Sequence, residues 1–149
     1  MEYKTEDLLK MVGELTITVF DEEGKVKDQR DLKNLVVSAG KTFIASRMVG
    51  TSQAIMSHMA IGTGTTTPAV AQTTLTTEAG RVTLASSSAS SNQVTYTATF
   101  PAGTGTGAIT EAGIFNAVSA GTMLCRTTFP VVNKAAGDSI AVTWTVTVS

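Results

Sequence analysis

Three segments of the chain alternate strictly. Leu15, Ile17 and Val19 are interleaved with Thr16, Thr18 and Phe20, and Val94, Tyr96, Ala98 and Phe100 with Thr95, Thr97 and Thr99. Ile140, Val142, Trp144, Val146 and Val148 are interleaved with threonines and one alanine. A period of two puts one set of side chains on each face of an extended chain, so these segments are predicted as half-buried strands. In the last of them Trp144 is the expected core anchor. After the first, Asp21-Glu22-Glu23-Gly24-Lys25 supplies turn chemistry and Val26 to Leu32 return as a charged strand, which makes a hairpin. Shorter apolar runs predict further strands over residues 55–61, 81–84, 114–115 and 123–129.

One segment follows a helical period instead. Phe43, Ile44, Arg47 and Met48 fall on one side of a helix expected over about residues 38–49, with Ser38 as its cap and Gly50 as its stop. A helix this short is not stable alone, so its apolar side must cover a sheet or an opening between sheets.

Glycine and hydroxyl residues punctuate the rest. Gly62-Thr63-Gly64-Thr65 is predicted as a turn leaving a strand, Thr67-Pro68 as the start of a single helical turn, and the serine-rich stretch 86–91 as a loop. Gly103-Thr104-Gly105-Thr106 repeats the first glycine-threonine turn, and Glu111-Ala112-Gly113 repeats Glu78-Ala79-Gly80. The two pairs are spaced 41 and 33 residues apart. No single period fits both, so reuse of turn chemistry explains them better than a solenoid. With roughly eight strands, one helix and turn signals every 8–12 residues, the expected fold is mainly β. It is an antiparallel β-sandwich or jelly-roll-like domain over residues 14–149, preceded by an N-terminal arm over residues 1–13.

Charge sharpens this division. Fifteen of the 23 charged residues precede Asn34, and the remainder of the chain relies on hydroxyls and glycine for its polarity. A formal charge of −1, with no basic stripe, argues against a nucleic-acid partner. No apolar run reaches the roughly 18 residues needed to cross a bilayer, and residues 1–7 lack the basic-then-apolar order of a signal peptide. Both features suit a protein made in a cytoplasm-like compartment without a membrane partner.

Candidate chemistry is sparse. Gly62-Thr63-Gly64 lacks both the lysine of a P-loop and the third glycine of a dinucleotide fingerprint. Asp21-Glu22-Glu23 lacks the spacing of a calcium loop. Cys125 lies in an apolar run and reads as a buried hydrophobe, since the one histidine, His58, is far from it in sequence. His58 has no nearby second histidine or carboxylate to complete a metal site. After Asn34 the carboxylates are Glu78, Glu111 and Asp138, and their spacing reveals no acid–base pair. The expectation is therefore no enzyme, no metal and no cofactor. Glu111 is expected to accept backbone hydrogen bonds in a tight turn, with Gly113, Gly62 and Gly64 as structural glycines. Tyr3, Leu8, Leu9, Met11 and Val12 are the candidate partner-binding residues of the arm.

Four stretches then carry a family likeness: Asn34-Leu35-Val36-Val37-Ser38-Ala39-Gly40-Lys41, His58 to Thr65, Ile109-Thr110-Glu111-Ala112-Gly113-Ile114-Phe115-Asn116 and Arg126-Thr127-Thr128-Phe129. As a set they resemble small virion structural proteins of tailed bacteriophages, over most of the chain from about residue 13 onward. The resemblance implies a virion component, first a capsid decoration or cement protein bound to the major capsid protein as a homotrimer. It implies as the alternative a tail, collar or fibre-adaptor subunit bound to other virion proteins. A receptor- or glycan-binding module is the competing class, but most aromatic residues fall on predicted core faces.

Overall fold

The structure, a computed structural model, describes residues 9–50 and 53–149. Alternation becomes strand wherever the sequence predicts it. β1 (Met11–Phe20) and β2 (Val26–Val36) form the expected hairpin, and α1 (Ser38–Met48) follows at once. Then come β3 (His58–Gly62), β4 (Glu78–Thr83), β5 (Ser86–Ser90) and β6 (Gln93–Phe100). β7 (Gly107–Phe115), β8 (Met123–Lys134) and β9 (Ser139–Val148) complete the chain.

The described strands make one sheet in the order β4-β3-β7-β8-β2-β1-β9-β6-β5, and every pairing is antiparallel. The mainly β class with a single helix therefore holds. Its two layers are halves of one curled sheet, a half-barrel, and β2 is the fold line. Most of β2 pairs with β1, and only its end, Leu35 and Val36, pairs with β8. At the other end of the curl, Leu84 donates to Ser57 and Ala85 to Thr97, so the chain steps from the β4 edge to the β5 edge in two residues.

The inner faces meet in one core. Ile17, Val19, Phe100, Ile140, Val142 and Trp144 from one half pack with Met59, Ile61, Ile114 and Cys125 from the other. Trp144 is the predicted anchor: it is fully buried, and its indole N–H donates to Asn34 Oδ1 at 3.0 Å. Gly13 makes room for that partner, because a Cβ there would overlap the Asn34 amide. α1 closes the open side of the curl through Gly40, Phe43 and partly Ile44, with Gly40 set directly against the Leu124 backbone.

Several local expectations need correction. Val37, not Ser38, is the N-cap of α1, and no side-chain cap bond forms. The Ser38 N–H instead donates to the Val70 carbonyl, so a long-range contact replaces the local cap. Met48 does not join the buried side and is 83% exposed. Gly50 does end the helix, at φ 67°. The third strand starts at His58, which leaves Ile55 outside it and 60% exposed. Stretch 86–91 is an edge strand ending in a turn at Ser91: pairing with β6 overrides the weak strand preference of serine. Met11 and Val12, expected in the arm, are already strand residues opposite Val148 and Thr147. Tyr3 and Leu8 lie outside the described residues.

Candidate functional site

The expected structural residues Gly62, Gly64, Glu111 and Gly113 meet on the outer face of the β3-β7-β8 half. In β7, Ala112 and Ile114 face the main core, so alternation turns Glu111, Gly113 and Phe115 outward. Outward is not exposed here. The segment 63–77 crosses this face and, with the start of α1, seals a second small core of Val37, Ala60, Leu75, Phe115 and Met123. The segment contains only one short turn, closed by Gln72 N–H donating to the Ala69 carbonyl.

A segment without ladder bonds must satisfy its buried backbone groups elsewhere. Glu111 and Arg126, both fully buried, do this together. Glu111 Oε1 accepts from the N–H groups of Gly64 (3.0 Å) and Thr77 (2.7 Å), and Oε2 from Thr76 (3.0 Å). Arg126 donates to Oε2 through both Nε (3.1 Å) and Nη2 (2.7 Å). Its other N–H groups go to the Thr66 carbonyl, Gln72 Oε1 and Thr76 Oγ1. All five guanidinium donors are used. Burial alone would raise the Glu111 carboxyl, but the N–H groups of Thr77 and Thr76, the guanidinium and the Gly64 N–H outweigh it and hold the carboxyl below its ordinary value.

The glycines are explained by this site. A Cβ at Gly64 would overlap Glu111 Oε1 and Thr76, and one at Gly62 would overlap the Thr77 carbonyl. Glu111 is indeed an acceptor of backbone N–H groups, but it sits within a strand and its donors come from a distant segment. The residues missed in the sequence are Arg126, Gln72, Thr76 and Thr77. Arg126 left a trace, as an isolated charge in a region almost without charge.

A second buried cation, Lys134, serves the turn between β8 and β9. Its ammonium donates to the carbonyls of Pro101 (2.9 Å) and Asp138 (2.7 Å). Burial lowers its pKa, while the Asp138 charge works in the opposite direction. Asp138 takes a hydrogen bond from Lys27 at 2.6 Å and another from the Ala135 N–H, which together hold its carboxyl below the usual range.

Cys125 and His58 do not meet. The thiol lies in the inner core, where burial pushes its pKa well up, and Tyr96 is pushed up to about 12 by burial and then by Cys125. His58 pairs opposite Phe115 on the other face and is flanked by the hydroxyls of Ser57 and Thr83. Among the described residues no group of three His, Cys, Asp or Glu could hold a metal ion.

Leu9, Met11 and Val12, the described part of the expected partner surface, do come together. With Leu35, Ile44 and Met48 they line a groove of about 510 Å³ between the β1–β2 hairpin and α1, with Lys10 and Lys41 beside it.

Among the described residues, the buried charges Glu111, Arg126, Lys134 and Asp138 thus all secure backbone of their own chain. Residues 29–148 match the family described as phage tail-collar fibre protein, N-terminal. The match covers most of the chain, and the chain belongs to this family. It is a virion structural protein of a bacteriophage, associated with the tail. Comparison with curated proteins and with solved structures gives no match. The family supports the tail placement that was the alternative reading and gives no support to head decoration. No helix among the described residues is long and apolar enough to cross a membrane.

Proposed function

We propose that the chain is a collar or fibre-adaptor subunit, a rigid β module through which a fibre is joined to the tail. The observation that carries this reading is the family match over residues 29–148. The groove beside α1 is the attachment face. Its floor is apolar, Met48 and Leu9 stand exposed on it, and Lys10 and Lys41 flank it. That combination suits a segment of another virion protein that carries apolar residues among carboxylates. We carry over to this reading the homotrimer that the resemblance attached to the capsid-decoration protein.

Electron microscopy of particles carrying a labelled copy tests the placement: label at the collar supports it, and label on the head shell overturns it. Met48→Asp tests the face. Because Met48 is a surface residue, the variant should melt like the parent yet be lost from purified tails. Normal incorporation would remove the groove from the interface. Light scattering should give about three times the chain mass of 15.4 kDa, and a monomer at working concentration would overturn the trimer.

A further inference from the structure

The two edges of the sheet are built differently. At the β4 edge, Glu78 and Arg81 form an ion pair at 2.6 Å. Arg81 lies 3.8 Å from the Phe115 ring centroid, and its Nη1 donates to the carbonyls of Ala117 and Ala120. Charge on an edge strand is a common guard against pairing with another chain. The β5 edge has no such guard. It reads Ser-Ser-Ser-Ala-Ser, all five residues are exposed, and it runs in unbroken register with β6. It has no charge, proline or bulge, and among the described residues no strand lies beyond it. Since only one side of β5 meets β6, the N–H and C=O groups on its other side point away from the sheet.

A pocket lies beneath this strand. Ser87 and Ala89 share a face with their cross-strand partners Tyr96 and Val94. These four residues, with Ser88, Phe43, Arg47, Ile55 and Met56, line a cavity of about 260 Å³ on the core side, and the Arg47 guanidinium donates to the Gln53 carbonyl at 3.2 Å. Ile55 at its rim is more than half exposed. Neighbouring strands are spaced about 4.8 Å apart, so a strand laid along the free edge would set its inward side chains at the pocket mouth.

We propose that β5 is a strand-addition site. It takes an extended, uncharged segment of another virion protein, which pairs with Ser86–Ser90 and places an apolar side chain among Phe43, Ile55, Met56 and Tyr96. Main-chain hydrogen bonds then supply attachment whatever the sequence, and the pocket supplies selection. A second copy of β5 would suit the edge but not the pocket, because it offers only serine and alanine. The proposal rests on membership of the virion and not on the groove beside α1, which is lined by other residues.

The probe is a set of short overlapping synthetic peptides covering the structural proteins of the same phage, with hydrogen exchange of the full chain as readout. A binding peptide should carry an apolar residue among uncharged ones and slow exchange at residues 86–90 by about tenfold or more. Ser87→Lys puts an ammonium at the pocket mouth and should abolish binding while leaving the melt unchanged. Ser88→Pro should block the edge itself, and if it lowers the melt, Ser87→Lys decides alone. The proposal is overturned if no peptide protects 86–90, or if protection falls only on the groove around Leu9 and Met48. It is equally overturned if raising the protein concentration alone protects β5, or if binding survives Ser87→Lys. Failure of the groove variant Met48→Asp would leave these outcomes untouched, so the two readings fail separately.

Discussion

The outer faces of the two halves of the sheet differ in what they ask of the rest of the chain. On the β3-β7-β8 half, Ala60, Phe115 and Met123 point outward and are fully buried, because segment 63–77 and the start of α1 lie over them. On the β6-β9-β1 half the outward positions are hydroxyls in rows, Thr97–Thr143–Thr16 and Thr95–Thr145 beside Glu14. No buried residue stands among them. An apolar outer face needs a cover, a cover made of irregular chain buries unpaired N–H groups, and those groups need an acceptor. Glu111 is that acceptor, and Arg126 is the charge that lets a carboxylate be buried. The threonine face needs none of this. The buried ion pair is thus a consequence of covering one face of the sheet.

The covered face is most vulnerable at the ion pair itself. Glu111→Ala strands three backbone N–H groups and leaves Arg126 as an uncompensated buried charge. It should cost about 3–5 kcal/mol in denaturant melts, with segment 63–77 becoming the first site of limited proteolysis. A loss below about 1 kcal/mol would mean that the segment is held by its apolar contacts alone. Trp144→Ala, in the core that both halves share, should cost about 3–5 kcal/mol without opening segment 63–77 to protease. Early cleavage there would show that the two regions are coupled.

Acid should separate the faces next. Glu111 and Asp138 both have folded pKa values below their ordinary ones, so their charged forms favour the folded state. That contribution is complete above the unfolded values, near pH 4, and is lost as pH falls through the folded ones. Urea midpoints should therefore stay level from neutral pH to about 5 and drop below about 4. Glu111→Gln should show a smaller drop, and an unchanged one would assign the acid sensitivity elsewhere. The smallest effect belongs to the bare face: Thr143→Ser should stay within about 0.5 kcal/mol. A larger loss in the same melts would show that the hydroxyl rows carry stability of their own.

Much of this site was legible one residue at a time. Glu111, Gly62, Gly64 and Gly113 stand out because turn-forming residues and a lone carboxylate are unusual in a threonine-rich stretch. Their convergence was not legible. Glu111 and Arg126 are 15 residues apart, and the groups they hold lie 34 to 60 residues away from one or the other. Scarcity of charge was the available clue: of the eight charged residues after Asn34, Glu78 pairs with Arg81 and Glu111 with Arg126. Lys134 and Asp138 join one cluster with Lys27, and only Lys41 and Arg47 stand outside these arrangements. Where water is the only other partner, a buried charge must be matched within the fold.

By itself the sequence determined what depends on neighbours along the chain: the alternating strands, the β1–β2 hairpin, the position of α1, the stop at Gly50 and the burial of Trp144. Side-chain period and turn chemistry act over a few residues, so they can be read without a fold. Tertiary structure alone decided that five serine-rich residues become a strand, that the layers are one sheet folded at β2, and that an apolar outer face is sealed over a buried ion pair. Those outcomes depend on which distant backbone groups are left needing a partner, and that is settled only when the sheet has curled.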